Sequence, residues 1–395
     1  MGFKNLFRKR IKILQKNILK NDLTGVLLHY SRDIFYYTGT VQPSYFVVFP
    51  DEYFLFVKSG YSFALTETFI EKSKVLWEKR LDKIFQKISS FFTSKGKIGT
   101  ELDVLSVNEF LKLKKVFEGF DFVDISPTIL EQRKRKDQYE VEKLRKACKV
   151  VDVGHKAILQ TLTEGITELK LAAAVENAVR LAGDEGMYFM RHPDFFMGRG
   201  PLTSGSNLFK ISGVVSTISG VGLSPAIPAG PSRRKIKEGD LVVADMPALV
   251  EGYHADQTRT YVVGKASKNI RRMFEALKEI SDHLIDSIEV GMKSFEVYRM
   301  ALDKAEKLGI GKYFLNLGDE RGKTFLVGHG IGLELNEPPI LSCYEQSTIP
   351  DRLVITIEIH VMDKHTGVVK LEDMILVGKR KNKILNITPQ ELFEV

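Results

Sequence analysis

Apolar residues recur along this chain with two periods, and the switches between them mark out its elements. Phe3, Phe7, Ile11, Leu14 and Ile18 recur at three- and four-residue steps, which predicts an amphipathic helix over residues 1–20. From Asp22 to about Val123, the short apolar runs GVLLH (25–29), YFVVF (45–49) and YFLFV (53–57) read as strands. Helical patterns occupy roughly 79–94 and 105–117, so this stretch reads as a small α/β domain. It holds no Gly-rich phosphate loop, acidic pair or histidine cluster, and its expected work is packing, oligomerisation or roofing a site.

The charged run EQRKRKDQYEVEK (131–143) leads into a helical pattern through Val141, Leu144, Cys148, Val151, Ile158 and Leu162. The run is expected to be a solvated linker and first turn, which puts a boundary near 128–136 and domains at 1–130 and 131–395. Within the second domain, Gly165 and Gly183 bracket ITELKLAAAVENAVRLA, and 126 residues later Gly291 and Gly309 bracket MKSFEVYRMALDKAEKL. Thr167 and Lys293-Ser294 stand as N-cap candidates and the second glycine closes each helix. Long helical patterns at 137–162 and 267–289 precede the pair, so two similar units around a pseudo-two-fold and a shared cleft are expected.

Composition narrows the classes. A chain that is 44% hydrophobic and 27% charged has a sizeable core and is neither disordered nor fibrous. The 58 Lys and Arg against 50 Asp and Glu leave a net charge of +8, densest in residues 1–20, where seven basic side chains meet no acid. A basic helix can lie on an anionic membrane. The commoner arrangement packs the apolar stripe on its own domain, and with it neither nucleic acid nor membrane is expected as a partner. Cys148 and Cys343 lack metal-ligand spacing and fit a reducing compartment. No run approaches the roughly 18 apolar residues of a membrane span and no secretory signal is present, so the cytoplasm is the expected address.

Chemistry concentrates in 240–376. Asp245 ends the apolar run LVVA and Asp256 opens DQTRTYVV, with a turn near Glu251-Gly252 that predicts a hairpin bringing both carboxylates to one face. His329 stands between glycines in VGHGIGLELNEPP, Glu358 inside LVITIEIHV, and Glu372-Asp373 inside VVKLEDMILV. An ionised carboxylate in a core strand is costly unless paired or metal-bound. A single one is explained by a nearby Lys or Arg. Four carboxylates and a histidine together are explained by one dinuclear site, rich in oxygen with one nitrogen, suited to Mn²⁺, Co²⁺, Fe²⁺ or Zn²⁺ and to hydrolysis.

The order Asp, Asp, His, Glu, Glu, with GHGIGLELNEPP and Asp256-Gln257-Thr258-Arg259-Thr260, resembles the pita-bread metallohydrolases: methionine aminopeptidase, aminopeptidase P, prolidase and creatinase. The N-terminal domain resembles that of the aminopeptidase P, prolidase and creatinase branch. The resemblance implies an α+β fold with a creatinase-type N-terminal domain and a pseudo-two-fold catalytic domain. It also implies a homodimer and a peptide substrate with Pro at its second position. By resemblance, Asp245 chelates one ion, Asp256 and Glu372 bridge two, and His329 and Glu358 complete the second. Glu358 would also shuttle a proton, while Thr258 and Arg259 would orient the ligands.

Departures fall in the pocket. The family's histidine seven residues after the metal histidine is Asn336 here, and its histidine seventeen residues before the first ligand aspartate is Pro228. Asn336 can still donate a hydrogen bond, and His254, His360 or His365 are candidates to take over. His254 ranks first because it shares a strand side with Asp256. His192 reads as a strand-end residue, and the turn-rich stretch around 220–232 as a pocket-lining loop. The expectation is a dinuclear metal-dependent aminopeptidase or dipeptidase cleaving Xaa-Pro bonds. The alternatives are a creatinase-like C–N hydrolase of a small metabolite and a non-catalytic binding protein on the same fold.

Overall fold

In the computed structural model, which describes residues 3–92, 95–191, 199–215 and 217–395, the first helix, α1 (Phe3–Lys20), packs its stripe inward. Phe7, Ile11, Leu14 and Ile18 are all buried against β1 (Leu23–Leu28) and α2 (Ser31–Thr38), each worth roughly 1.5–3 kcal/mol of transfer free energy. Arg10 is the exception among the basic residues of that helix. It is buried, its guanidinium lies over the Phe7 and Tyr36 rings, and it donates to the Tyr36 carbonyl at 2.7 Å.

The chain divides into two units: residues 1–133 with 191–193, and the remainder. In the first, α1, β1 and α2 are followed by β2 (Ser44–Val48), β3 (Tyr53–Val57), α3 (Tyr61–Glu67), β4 (Val75–Trp77), α4 (Leu81–Ile88), β5 (Lys97–Thr100), α5 (Val107–Val116), β6 (Asp121–Asp124) and α6 (Ser126–Lys134). The strands form one mixed sheet in the order β4-β3-β2-β1-β5-β6. The three strands read from sequence are its centre. The helices α2 and α3 and the strands β4, β5 and β6 escaped the pattern because they are too short to show a period. An acidic cluster also escaped it. Buried Asp33 takes Arg133 at 2.7 Å and Arg191 at 2.8 Å, and buried Glu101 accepts the His29 and Tyr30 amides.

The charged run 131–143 corrects the expectation of a solvated linker. Arg133, Lys134, Lys136, Glu140 and Lys143 are all buried. Lys136 pairs with buried Glu337 at 2.7 Å, and Asp137 and Glu140 form a capping box that starts α7 (Gln138–Thr161). Local charge density announces solvent exposure only where partners are absent, and here Arg133, Lys136 and Lys143 meet Asp33, Glu337 and Glu251, each about a hundred or more residues away in sequence.

The second unit continues with α8 (Glu168–Leu181), β7 (Leu202–Ser204), β8 (Leu241–Asp245), β9 (Ala248–Val250), β10 (Tyr253–Ala255), β11 (Thr258–Val262), α9 (Lys268–Ser287), α10 (Ser294–Lys307), β12 (Leu326–Gly330), β13 (Glu337–Ser342), β14 (Val354–Asp363) and β15 (Gly367–Leu376). Thr167 caps α8 by accepting from the Lys170 amide, whereas Lys293 and Glu296 build the corresponding start of α10. One sheet runs β13-β12-β14-β15-β11-β8-β7. Its apolar face meets α9 and α10 in a core that includes Leu277, Leu284, Val297, Ile355, Ile357 and Leu371. The second unit thus sets two helix pairs, α7–α8 and α9–α10, around its central sheet.

Candidate metal centre

Antiparallel register places the candidate ligands side by side. On β14 and β15, Glu358 lies directly opposite Glu372. On the next strand Thr258 lies opposite Glu372, and beyond it Asp245 lies opposite Thr258. His329 comes from β12 on the other side, its amide donating to Thr356 Oγ1 of β14. Five adjacent strands thus present one row of side chains, because residues paired across a ladder point to the same face. The predicted hairpin is bent in two. β9 and β10 pair around Glu251 and Gly252, both at positive φ, while β8 and β11 pair below them. The bend falls at Met246 and Gln257, whose backbones bond at 2.8 Å, and it carries Asp245 and Asp256 into the row.

Donor atoms of Asp256, His329 and Glu372 all lie within 4.8 Å of one another, and so do those of Asp245, Glu358 and Glu372. Glu358 therefore groups with Asp245, where the family pattern would set it beside His329. His329 points Nδ1 at the Gly330 carbonyl, 3.0 Å away, which leaves Nε2 facing Glu372 Oε1 at 3.9 Å. Glu372 Oε1 is buried and has no hydrogen-bond partner among the described residues, while Thr258 Oγ1 donates to Oε2 at 2.9 Å. Two like charges opposite each other in a ladder repel, and an orphaned buried carboxylate oxygen is costly. Burial and then the neighbouring acids push Asp256 and Glu372 well above the usual carboxylate range. Burial also lowers His329, keeping its imidazole neutral. A neutral nitrogen and crowded acids in want of a cation fit divalent metal.

Lys370 is the residue that the motifs did not single out. It is fully buried, with Nζ 2.5 Å from Asp245 Oδ2 and 2.7 Å from Glu358 Oε1. Burial opposes ionisation of Glu358, but Lys370, with smaller contributions from His329 and Thr217, outweighs it and draws Glu358 down to about 2. The signal was present in VVKLED, since residues two apart on a strand share a face. Asp373 on the other face is held by Arg259, 2.7 Å away, and by Gln390. Arg259 also donates to the carbonyls of Thr258, Glu372, Thr388 and Pro389, so it fixes the backbone that carries Glu372.

A cleft of about 290 Å³ opens on the row. Asp245, Asp256, His329, Glu358, Asn336 and Thr217 line it together with apolar Met190, Val214, Val215, Phe325, Leu326 and Ile340. Asn336 stands where sequence put it. His254 does not, and this corrects its assignment as a catalytic group. It is fully buried, Nε2 accepts the Phe189 amide at 3.0 Å, and Nδ1 donates to the Gly332 carbonyl at 3.0 Å. The strand β10 that carries it has left the main sheet, so sharing a strand side with Asp256 no longer means sharing a face. His360 is occupied by the Asn316 carbonyl and His365 is exposed in a turn. The 220–232 loop, Pro228 included, is absent from the lining residues, and the segment at 214–217 takes that place. His192 lies outside the described residues.

Replacing Thr258 by Val should weaken metal binding about 10- to 100-fold with little change in stability, because Glu372 loses the bond that aims it. Isothermal titration with Mn²⁺ measures this; unchanged affinity would show that Thr258 does not orient the ligand.

Residues 142–379 match metallopeptidase family M24, and residues 10–135 match the creatinase/prolidase N-terminal domain. An Xaa-Pro dipeptidase of Pyrococcus furiosus is 29% identical over 389 residues, covering 98% of this chain and 99% of that one. The solved prolidase of Pyrococcus horikoshii superposes with a TM-score of 0.79 at 26% identity, covering 98% of this chain and 100% of that one. An Xaa-Pro dipeptidase structure from Bacillus anthracis, at 21% identity, shares the fold with a TM-score of 0.82 over 98% of this chain and all of its own.

Proposed function

The chain belongs to metallopeptidase family M24, and from that premise we propose that it hydrolyses Xaa-Pro peptide bonds in short peptides. The observation that carries the reading is the Glu358–Glu372 pair, opposed across two central strands, with Glu358, Asp245, Asp256 and His329 lining one cleft. The relatives named Xaa-Pro dipeptidase and prolidase support the bond that is cut.

Two divalent ions, Mn²⁺ or Co²⁺ before Fe²⁺ or Zn²⁺, supply on binding an activated water and a polarised scissile carbonyl. Asp245, Asp256, His329, Glu358 and Glu372 would hold these ions. Glu358, ionised in the cleft, accepts the proton of the attacking water and returns it to the leaving nitrogen of proline. Asn336 donates its side-chain N–H to the oxygen on which negative charge develops. The walls of Val214, Val215 and Phe325 shed water from the reacting bond and favour apolar residues beside it. On the same reading the protein works as a cytoplasmic homodimer, which sedimentation velocity checks.

The test is turnover of Xaa-Pro dipeptides and Xaa-Pro-Yaa tripeptides by metal-reconstituted protein. Turnover of both indicates an aminopeptidase, and of dipeptides alone a dipeptidase. Metal uptake without turnover of either would overturn the peptide assignment and leave C–N cleavage in a smaller metabolite. Asn336→Ala should lower kcat about 10²-fold with KM changed far less, the loss typical of one oxyanion donor. A loss confined to KM would remove Asn336 from the transition state.

A further inference from the structure

Among the described residues, one hydroxyl on the cleft wall is buried without a hydrogen-bond partner, Oγ1 of Thr217. Thr217 lines the cleft with Asn336, Asp245, Asp256, His329 and Glu358, and it lies close enough to Glu358 to help hold that carboxyl low. A buried hydroxyl left without a partner costs stability, and a valine of the same shape would remove the cost. Val214 and Val215 stand on the same wall, so apolar side chains are accepted there. The hydroxyl calls for a partner from outside the fold.

The backbone on both sides of Thr217 is fixed. Ile218 is fully buried in an apolar cluster with Leu208, Val243 and Met362. Ser219 is buried beside it. Its Oγ accepts the Ser212 amide at 2.8 Å, and its carbonyl accepts the Gly230 amide at 2.7 Å. On the other side Arg321, paired with Asp319 at 2.6 Å, donates to the carbonyls of Ile211, Ser212 and Val215. A donor fixed before substrate arrives needs no reorganisation during the reaction.

We propose that Thr217 is a second oxyanion donor, its hydroxyl joining the Asn336 amide on the scissile carbonyl oxygen of an Xaa-Pro substrate. This inference rests on the peptidase reading above. The nitrogen of an Xaa-Pro bond carries no hydrogen, so the reacting bond offers one hydrogen-bonding group, the carbonyl oxygen, and that group is an acceptor. Thr217 meets it as a donor and keeps its own proton. Its place beside Glu358, which takes the proton of the water attacking that carbonyl, sets the hydroxyl near the atom on which charge develops. Pro228, where a histidine was expected, has no donor to offer and is absent from the lining residues. Thr217 supplies the bond that is missing there.

The experiment compares wild type, Thr217→Val and Thr217→Ser, each reconstituted with Mn²⁺. It measures Leu-Pro turnover, thermal unfolding, and inhibition by a phosphinic analogue of Leu-Pro whose tetrahedral P–O⁻ imitates the intermediate. Thr217→Val should lower kcat about 10- to 100-fold with KM within about threefold, and weaken the analogue by the same factor as kcat/KM. Its melting temperature should be unchanged or higher, because an unpartnered polar group is gone. Thr217→Ser, which keeps the hydroxyl, should stay within about threefold of the wild-type kcat. An unchanged kcat in Thr217→Val, or a loss confined to KM, overturns the inference. So does a lower kcat with undiminished affinity for the analogue, which would make Thr217 act through Glu358. A fall in activity matched by a fall in melting temperature in both variants would make the role structural and overturn it too. A wild type that turns over no Leu-Pro would overturn the peptidase reading itself, a failure distinct from these.

Discussion

Asp256→Asn should abolish metal-dependent hydrolysis, lowering kcat on the order of 10³-fold or more, since Lewis-acid stabilisation of developing charge is worth several kcal/mol. Asp256 is buried at the bend of the β9–β10 hairpin, and its carboxylate stands in a group with His329 and Glu372. An amide of the same shape offers one oxygen without charge, which cannot span two cations. The stability effect has the opposite sign. In metal-free protein, burial and the charges of Asp245 and Glu358 hold the Asp256 carboxyl well above its ordinary value. A raised folded value means that the unfolded chain releases this proton first as pH rises. The stability it contributes is present at low pH and lost as pH climbs from the ordinary carboxylate range toward the raised value. Metal-free Asp256→Asn should therefore be at least as stable as metal-free wild type at neutral pH. It should also lose the metal-induced rise in melting temperature, about 2.7 kcal/mol at an ion concentration a hundred times Kd. Thermal unfolding with and without Mn²⁺ measures both. A variant that keeps the full metal-induced shift would remove Asp256 from the ligand set.

Arg259→Met should be the most destabilising single change near the site. Arg259 and Asp373 are each fully buried, 2.7 Å apart, and the guanidinium also satisfies four backbone carbonyls. Removing one partner of such a pair leaves an uncompensated charge and typically costs about 3–5 kcal/mol. Burial already raises the Asp373 carboxyl, with Arg259 opposing the rise. In the variant that opposition is gone and the Asp373 carboxyl rises further. The loss of stability should accordingly be greatest at high pH, where unfolding frees the proton, and smaller in mild acid. Urea denaturation at two pH values reads the effect. Arg259→Met with Asp373→Leu should recover part of the loss, since an apolar pair can replace a buried ion pair at little cost. A loss below about 1 kcal/mol in the single variant would show that the pair does not hold β11 to β15.

The ligand types were legible because each acid interrupts an apolar run that must be a buried strand, as Glu358 does in LVITIEIHV. The long helices were equally legible, α7 and α9 falling within about two residues of their patterns. Where elements are short, as with α2 or β4, too few residues sample the period to separate helix from strand. The bend that takes β9 and β10 out of the main sheet had no local signal, and it decided the fate of His254. Alternation along a strand predicts a shared face only while the strand stays in one sheet.

By itself, the sequence determined which residues could pay the cost of a buried charge together: four acids and one histidine in core strands, and an apolar stripe that would close α1 onto its own domain. Only the tertiary structure decided which cation meets which acid. Lys136 finds Glu337, Arg133 finds Asp33, and Lys370 reaches across to Asp245 and Glu358. The physical reason is range. Periodicity and propensity act over a turn of helix or a few strand residues, whereas ion pairing in a low-dielectric core acts over a few ångströms of space. Strand register, which brings residues a hundred or more positions apart into that distance, is set by the packing of the whole sheet.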